Sequence, residues 1–224
     1  MTKSNLINRI QTVKRMLSML LCGTKPSEIG GDYSTNVGGD NSTNVGGDNS
    51  DNAGRSFSTN TGGNRSTNTG WDCSKNTGGY NSTNTGGNHS TNTGGNHSTN
   101  TGGYYSTNTG GDRSDNTGKF SSKNTGGDCS KNTGGDCSKN TGGNRSINTG
   151  GDYSTNIGGN CSKNTGGDYS TFLTGKDSYF TGRWYDVSRS SKSRDRSRTF
   201  YSGEDYKEGV KYYFENGKIS KVVK

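Results

Sequence analysis

The sequence predicts an all-β fold, specifically a β-solenoid in which short strands stack in a regular coil. The first observation is an eight-residue unit, Gly-Gly-(Asp/Asn)-x-Ser-(Thr/Lys)-Asn-Thr, which runs from Gly30 to Thr181 in 19 copies without a frameshift. The second is that position 5 of the unit is Ser in all 19 copies and position 7 is Asn in 17. A strict short period with fixed positions is typical of stacked repeats.

The composition excludes a conventional apolar core. Only 21% of the 224 residues are hydrophobic, and 39 are Gly, whereas globular domains contain roughly 45–50% apolar residues. Low hydrophobicity is also typical of disordered chains, because burial cannot then offset the loss of chain entropy. A disordered tract is therefore the alternative, but the constant phase of the repeat favours a folded solenoid.

Strand alternation within the unit predicts which positions face inward. The Gly-Gly pair is expected to form the corner by adopting positive φ, and positions 5 and 7 then share the inner face of the strand. Positions 4, 6 and 8 are expected to point outward. An interior of Ser and Asn requires hydrogen-bonded ladders, since an unpaired buried polar group costs about 1–3 kcal/mol. Two octads per coil give about nine 16-residue coils and a rod of about 45 Å, at about 4.8 Å per coil.

Four segments are expected along the chain. Residues 1–29 have apolar residues at helical spacing and predict an N-terminal amphipathic helix that caps the solenoid; a secretory signal and a membrane-surface helix are the alternatives. Residues 30–181 form the octapeptide-repeat solenoid. Residues 182–202 are basic and Arg/Ser-rich, and are either a solvated linker or further charged coils. Residues 203–224 predict a C-terminal β-hairpin cap around the turn Asn216-Gly217.

Charge and cysteine content limit the function classes. The net charge of +8 suggests an anionic partner, but no motif of a nucleic-acid-binding module is present, so no specific nucleic acid is expected. No stretch approaches the roughly 20 apolar residues of a transmembrane helix. Five Cys without a CxxC pair favour a reducing, intracellular compartment over a disulfide framework.

The sequence contains no recognisable enzyme or metal site. His89 and His97 occupy the same position in successive units, so they are expected to face opposite sides of the rod and not to share a metal. No nucleophile–base–acid set or phosphate-binding loop is present. We therefore expect a protein that is not an enzyme and has no catalytic residues, cofactor or metal.

Outward threonines are the candidate binding residues. A threonine holds a methyl group and a hydroxyl on a stiff χ1 torsion, so a flat array of threonines fixes both groups in regular positions and can order water. Thr is also a favourable exposed β residue, which is the alternative explanation. Six octads carry Thr at both outward strand positions: Thr59, Thr61, Thr67, Thr69, Thr83, Thr85, Thr91, Thr93, Thr99, Thr101, Thr107 and Thr109.

The octad resembles the repeat of the bacterial ice-nucleation proteins, Ala-Gly-x-Gly-Ser-Thr-x-Thr. The unit Gly86–Thr93 matches it at Gly87, Ser90, Thr91 and Thr93. The resemblance implies a β-solenoid that engages ice or ordered water through Thr-x-Thr rows, as a short and divergent member. It also implies self-association through a basic segment that follows the array. The corresponding assembly residues are Arg183, Arg189, Arg194, Arg196 and Arg198.

This chain departs from that repeat in ways that leave two functions open. Gly replaces Ala at position 1, Asn is nearly fixed at position 7, and Lys or Asp interrupts the threonine file at position 6. The uninterrupted block runs only from Thr83 to Thr109. One hypothesis is a water-ordering or ice-binding solenoid, and the alternative is a structural rod that self-assembles through its basic C-terminal segment without ice activity.

Overall fold

The computed structural model describes residues 28–185 and 195–222. Within these residues the chain is all-β, with no helix, and consequently no helix that is long and apolar enough to cross a membrane. Of the segment 1–29 only Glu28 and Ile29 are described, and they form a strand. The predicted N-terminal helix otherwise lies outside the described residues.

The strands form two sheets, which we call the odd sheet and the even sheet after the strand numbers. The odd sheet contains β1 (Glu28–Ile29), β3 (Thr43–Val45), β5 (Thr59–Thr61), β7 (Lys75–Thr77), β9 (Thr91–Thr93), β11 (Thr107–Thr109), β13 (Lys123–Thr125), β15 (Lys139–Thr141), β17 (Thr155–Ile157), β19 (Ser170–Leu173), β22 (Lys211–Glu215) and β23 (Lys218–Lys221). The even sheet contains β2 (Thr35–Val37), β4 (Asp51–Ala53), β6 (Thr67–Thr69), β8 (Thr83–Thr85), β10 (Thr99–Thr101), β12 (Asp115–Thr117), β14 (Lys131–Thr133), β16 (Ile147–Thr149), β18 (Lys163–Gly166), β20 (Tyr179–Tyr185) and β21 (Asp195–Tyr201).

From β1 to β20, neighbouring strands within a sheet are parallel and sixteen residues apart. Thr83 of β8, for example, pairs with Thr99 of β10, and Thr99 pairs with Asp115 of β12. The chain alternates between the two sheets at each octad, so two octads make one turn of the solenoid, as the sequence predicts. The parallel part has about ten turns instead of nine, because β1 adds a strand before the first octad.

The interior consists of the Ser and Asn side chains at positions 5 and 7, as expected from strand alternation. Asn at position 7 is at most 4% exposed at every one of its 17 occurrences. Position 6 is mostly exposed and position 8 is mostly half-buried, including where it is Val, Ala, Ile or Leu. The prediction of a polar core is therefore confirmed.

Hydrogen bonds run along this interior in two ladders, one per sheet. The Nδ2 group of Asn84 donates to Oγ of Ser82 at 3.2 Å, to the carbonyl of Thr93 at 3.0 Å and to Oδ1 of Asn100 at 2.9 Å. The same pattern repeats along the array, and each ladder amide from Asn36 to Asn148 donates to the asparagine of the next turn. Among the described residues only the ladder ends leave buried side-chain atoms unpaired, at Oδ1 of Asn44 and Nδ2 of Asn164.

The corner of each turn is not made in the expected way. Position 4, which is never Gly, has φ between 53° and 59° in all 19 octads, whereas among the described glycines only Gly203, Gly209 and Gly217 have positive φ. The prediction that the Gly-Gly pair supplies positive φ is therefore wrong. These glycines are needed for space: a Cβ on Gly86 would collide with the Ser90 side chain, and one on Gly87 would collide with the Asp72 carboxylate.

The serine at position 5 and the Asp or Asn at position 3 complete the turn. Ser90 Oγ donates to the carbonyl of Gly87 at 2.7 Å, within the same octad. The Asp72 carboxylate accepts a hydrogen bond at 2.8 Å from the amide of Asn88, one turn further along. The corner that contains Ser90 is thus bonded both internally and to the adjacent corner, which satisfies backbone groups that a loop would expose.

After β19 and β20 the topology changes from parallel to antiparallel. β20 pairs antiparallel with β21, β19 with β22, and β22 with β23 across the turn at Asn216-Gly217. Residues 182–202, expected to be a linker or further charged coils, therefore contain the end of β20 and all of β21. Phe172 and Phe180 replace the interior Asn here, and they pack with Phe200, Tyr206 and Phe214 into an aromatic cluster at the end of the rod.

Candidate functional site

All twelve candidate threonines lie on strands of the array, but the two sheets divide them between opposite faces. Octads of even strands place Thr67, Thr69, Thr83, Thr85, Thr99 and Thr101 on one face, and octads of odd strands place Thr59, Thr61, Thr91, Thr93, Thr107 and Thr109 on the other. The stretch from Thr83 to Thr109 is uninterrupted in sequence but does not form one surface. The relevant unit is a column of residues sixteen apart.

The even face holds the longer block of paired threonines. At position 6, Thr67, Thr83 and Thr99 are exposed and in register on three adjacent strands. Asp51 and Asp115 border this block on its two sides. Strands in a sheet lie about 4.8 Å apart and residues two apart on one strand about 6.6 Å apart, so the threonines form a small rectangular lattice.

The odd face is interrupted earlier. Thr91 and Thr107 are adjacent at position 6, but Lys75 separates them from Thr59 on one side, and Lys123 follows Thr107 on the other. Only two adjacent strands therefore present paired threonines on this face. A lysine chain extending from the sheet would obstruct the approach of a flat solid surface.

Position 8 carries a longer column of threonines, and only some of them are among the twelve candidates. On the even sheet this column is unbroken over eight strands, and on the odd sheet over six. The members not identified as candidates are Thr77, Thr117, Thr125, Thr133, Thr141, Thr149, Thr165 and Thr181. Thr occupies position 8 in 14 of the 19 octads, and this frequency is the sequence signal that could have identified them. These side chains are mostly half-buried, so their hydroxyls are less accessible than those at position 6.

The predicted assembly arginines fall into two groups. Arg183 and Arg198 are exposed on the antiparallel pair of β20 and β21, and Arg196 is half-buried on β21. The Arg198 guanidinium lies 5.0 Å from the Phe200 ring centre. Arg189 and Arg194 lie outside the described residues, so the structure does not place the five arginines together.

The net charge of the chain lies outside the described residues. Residues 28–185 and 195–222 contain 18 Lys or Arg and 18 Asp or Glu, so they are neutral overall. The excess of +8 falls entirely in residues 1–27, 186–194 and 223–224. The array itself is thus not a basic surface.

The turns form two edges of the rod. Turns that lead from the odd to the even sheet carry His97, Cys129 and Cys161, and those on the other edge carry His89, Cys73 and Cys137. The two histidines therefore lie on opposite edges, as predicted, and each contacts a tyrosine ring. Among the described residues, no group of three or more His, Cys, Asp or Glu side chains is arranged to hold a metal ion.

The end of the rod contains the tyrosines whose acidity is altered. Burial raises the pKa of Tyr206, whose hydroxyl donates to the Ser178 carbonyl at 2.9 Å and lies 2.8 Å from the Thr174 hydroxyl. The negative charge of Glu215, with burial as a smaller contribution, raises the pKa of Tyr169. Neither residue was identified from the sequence, because neither belongs to the repeating threonine pattern.

Comparisons with protein-family models, with curated protein sequences and with solved structures gave no match. The likeness to the ice-nucleation proteins is therefore one of octad pattern alone.

Proposed function

We propose that the protein orders water or binds ice through the threonines of its even face, as a non-enzymatic repeat protein. The observation that carries this proposal is the in-register block of Thr67, Thr83 and Thr99, flanked on the same strands by position-8 threonines. A lattice of hydroxyls and methyl groups on a rigid sheet can hold water at fixed positions before ice forms. The hydrogen-bonded asparagine ladder beneath it supplies that rigidity.

The size of the block sets the expected strength. Three strands at about 4.8 Å present a template of roughly 10 Å along the rod, with the position-8 column extending it at half exposure. A template this small favours adsorption to existing ice over strong nucleation. We therefore expect measurable thermal hysteresis and only a small rise in the freezing temperature of supercooled droplets.

A lysine substitution in the block tests the proposal. Thr83→Lys places a long charged side chain at the centre of the even face and is expected to abolish thermal hysteresis. Thr155→Lys makes the same change at the same octad position outside both blocks and is the matched control. Circular dichroism should show both variants folded. Wild-type protein without hysteresis or raised freezing temperature at high concentration would refute the proposal, as would equal activity in both variants.

The alternative proposal is a structural rod that self-associates through its basic C-terminal segment. It is supported by Arg183 and Arg198, which are exposed on the antiparallel ribbon beyond the last parallel turn. We also propose that the segment 1–29 and the hairpin of β22 and β23 cap the two ends of the rod. Sedimentation velocity at low and high salt tests assembly, with Arg183→Gln plus Arg198→Gln expected to give monomers and Lys75→Gln to leave assembly unchanged.

A further inference from the structure

A cleft of about 710 Å³ lies at the end of the rod, where the repeat stops turning. β20 continues straight past Gly182 instead of forming another corner, since it pairs with β21 over seven residues. The resulting ribbon extends beside the last corners of the solenoid. The volume is within the range of roughly 300–1,000 Å³ that is usual for ligand clefts.

Four aromatic side chains line this cleft. Tyr153 and Tyr169 come from successive corners and stack at 4.9 Å with their rings 11° apart. Trp184 and Tyr185 come from the ribbon, and Trp184 is held by an edge contact with Phe214 at 5.8 Å. Tyr153 is 61% exposed, so much of its ring is accessible to a ligand.

Polar groups of both charges converge on the same cleft. Asp152 and Asp168 lie on the corner side, and Arg183 and Arg196 lie on the ribbon side. The Oδ1 atom of Asp152 accepts the backbone amide of Asp168 at 2.9 Å, and Oδ1 of Asp168 accepts that of Asn216 at 2.8 Å. In both carboxylates Oδ2 makes no hydrogen bond within the described residues, so it can accept one from a ligand.

The charge balance distinguishes between ligand classes. The lining residues include two arginines and two aspartates, and Glu215 lies close enough to raise the pKa of the Tyr169 phenol, so the described groups give the cleft no excess of positive charge. A polyanion such as single-stranded nucleic acid requires a positive groove beside its aromatic platform. A neutral ligand with an apolar face and many hydroxyls instead matches aromatic rings interspersed with carboxylates and guanidinium groups.

We propose that this cleft binds a neutral oligosaccharide. The aromatic rings would contact the C–H face of a pyranose ring, since that face is apolar, while Asp152 and Asp168 would accept hydrogen bonds from its hydroxyls. Arg183 would donate to ring or hydroxyl oxygens from the opposite wall. The cleft opens onto the edge of the rod, so a chain of several sugar units can continue along it.

Fluorescence of Trp184 provides a direct test. The chain has two tryptophans, so Trp71→Phe leaves Trp184 as the only reporter. The full chain carrying this change would be titrated with cellotetraose, maltotetraose and chitotetraose, and separately with inorganic phosphate and a short oligodeoxynucleotide. We expect a saturable change with at least one neutral sugar, and none with the anions.

Variants assign the binding to the cleft. Tyr153→Ala and Asp152→Asn are each expected to raise the dissociation constant about tenfold, as loss of one ring contact or one charge-assisted hydrogen bond does. Tyr105→Ala and Asp112→Asn alter the same octad positions outside the cleft and should leave binding unchanged. Absence of any saturable sugar response overturns the proposal, as does binding that is insensitive to Tyr153→Ala. Binding of phosphate or oligonucleotide alone would also overturn it.

Discussion

Replacing one interior asparagine tests how the rod is stabilised. Asn100 lies at the centre of the even-sheet ladder. Its amide donates to Ser98 Oγ at 3.1 Å, to the Thr109 carbonyl at 3.0 Å and to Asn116 Oδ1 at 2.8 Å, and its Oδ1 accepts from Asn84. In Asn100→Ala all four contacts are lost at once.

The size of the destabilisation by Asn100→Ala depends on which former partners of Asn100 keep another hydrogen bond. Asn84 Nδ2 retains Ser82 Oγ and the Thr93 carbonyl, and the Thr109 carbonyl retains the amide of Gly94. Asn116 Oδ1 has no other donor among its described contacts and becomes a buried unpaired acceptor, at a cost of about 1–3 kcal/mol. The cavity left by the amide adds to this, so we expect the free energy of unfolding to fall by at least about 2 kcal/mol.

Urea denaturation followed by circular dichroism measures the loss. Thr99→Ala changes the exposed neighbour on the same strand and should alter the free energy of unfolding by less than about 0.5 kcal/mol. Since solenoid turns contact only their neighbours, Asn100→Ala should also broaden the transition or split it in two. Equal stability of Asn100→Ala and Thr99→Ala would refute the conclusion that the amide ladder stabilises the fold.

Three further predictions concern the glycines, the corners and the aromatic end. Gly86→Ala should lower the free energy of unfolding by roughly 1–3 kcal/mol, because the new Cβ overlaps the Ser90 side chain. Gly31→Ala is the control and should be nearly neutral, since no atom lies within 4 Å of its new Cβ. Similar melting temperatures for the two variants would contradict this prediction. Cys129→Val places a β-branched residue at a φ of 57° and should destabilise the protein by about 1–2 kcal/mol, whereas Cys129→Gly should not. If calorimetry finds the Gly variant less stable than the Val variant, the left-handed corner is contradicted. Burial raises the pKa of Tyr206, so the neutral phenol stabilises the folded end; this stability is complete below the ordinary tyrosine pKa of 10.0 and is lost as pH rises through the higher folded value. Trp184 fluorescence should then report loosening of the aromatic cluster in alkaline solution, with Tyr206→Phe removing that pH dependence.

Much of the array could be predicted from the octad alone. The invariant Ser and Asn identified the interior because strand alternation leaves only one face for residues that never vary. A turn of two octads is the simplest arrangement that places one strand on each side of a flat coil. It also places His89 and His97 on opposite edges. The division of threonines between faces also follows from counting octads, although reading the chain linearly from Thr83 to Thr109 obscured it.

The prediction for the corner is wrong because it assigns the positive φ to glycine, whereas the residue at position 4 adopts it. Position 4 contained the correct signal: it accepts Tyr, Phe, Asn, Asp, Arg, His, Cys and Ser but never Val, Ile or Thr, which are the residues that left-handed backbone disfavours most. The glycines are required because a Cβ at these positions would overlap either atoms fifteen residues earlier in the chain or the serine of the same octad. Such contacts become visible only once the turns are stacked.

The end of the rod was the least predictable part. Phe172 and Phe180 signal the end of the asparagine ladder, but the antiparallel pairing of β20 with β21 joins segments that share no repeat with the array. Neither the aromatic cluster nor the cleft at Tyr153 and Tyr169 follows from periodicity. Both depend on a ribbon that passes Gly182 without turning.

Exchange of the asparagine side-chain amides with solvent, followed by NMR in D₂O, tests the hydrogen-bonded interior most directly. The Nδ2 protons of the ladder from Asn44 to Asn148 should be protected by orders of magnitude relative to exposed amides such as those of Asn41 and Asn81. Exchange of the ladder amides at the rate of these exposed ones would show that the interior is hydrated, and the two threonine faces would then have no rigid support.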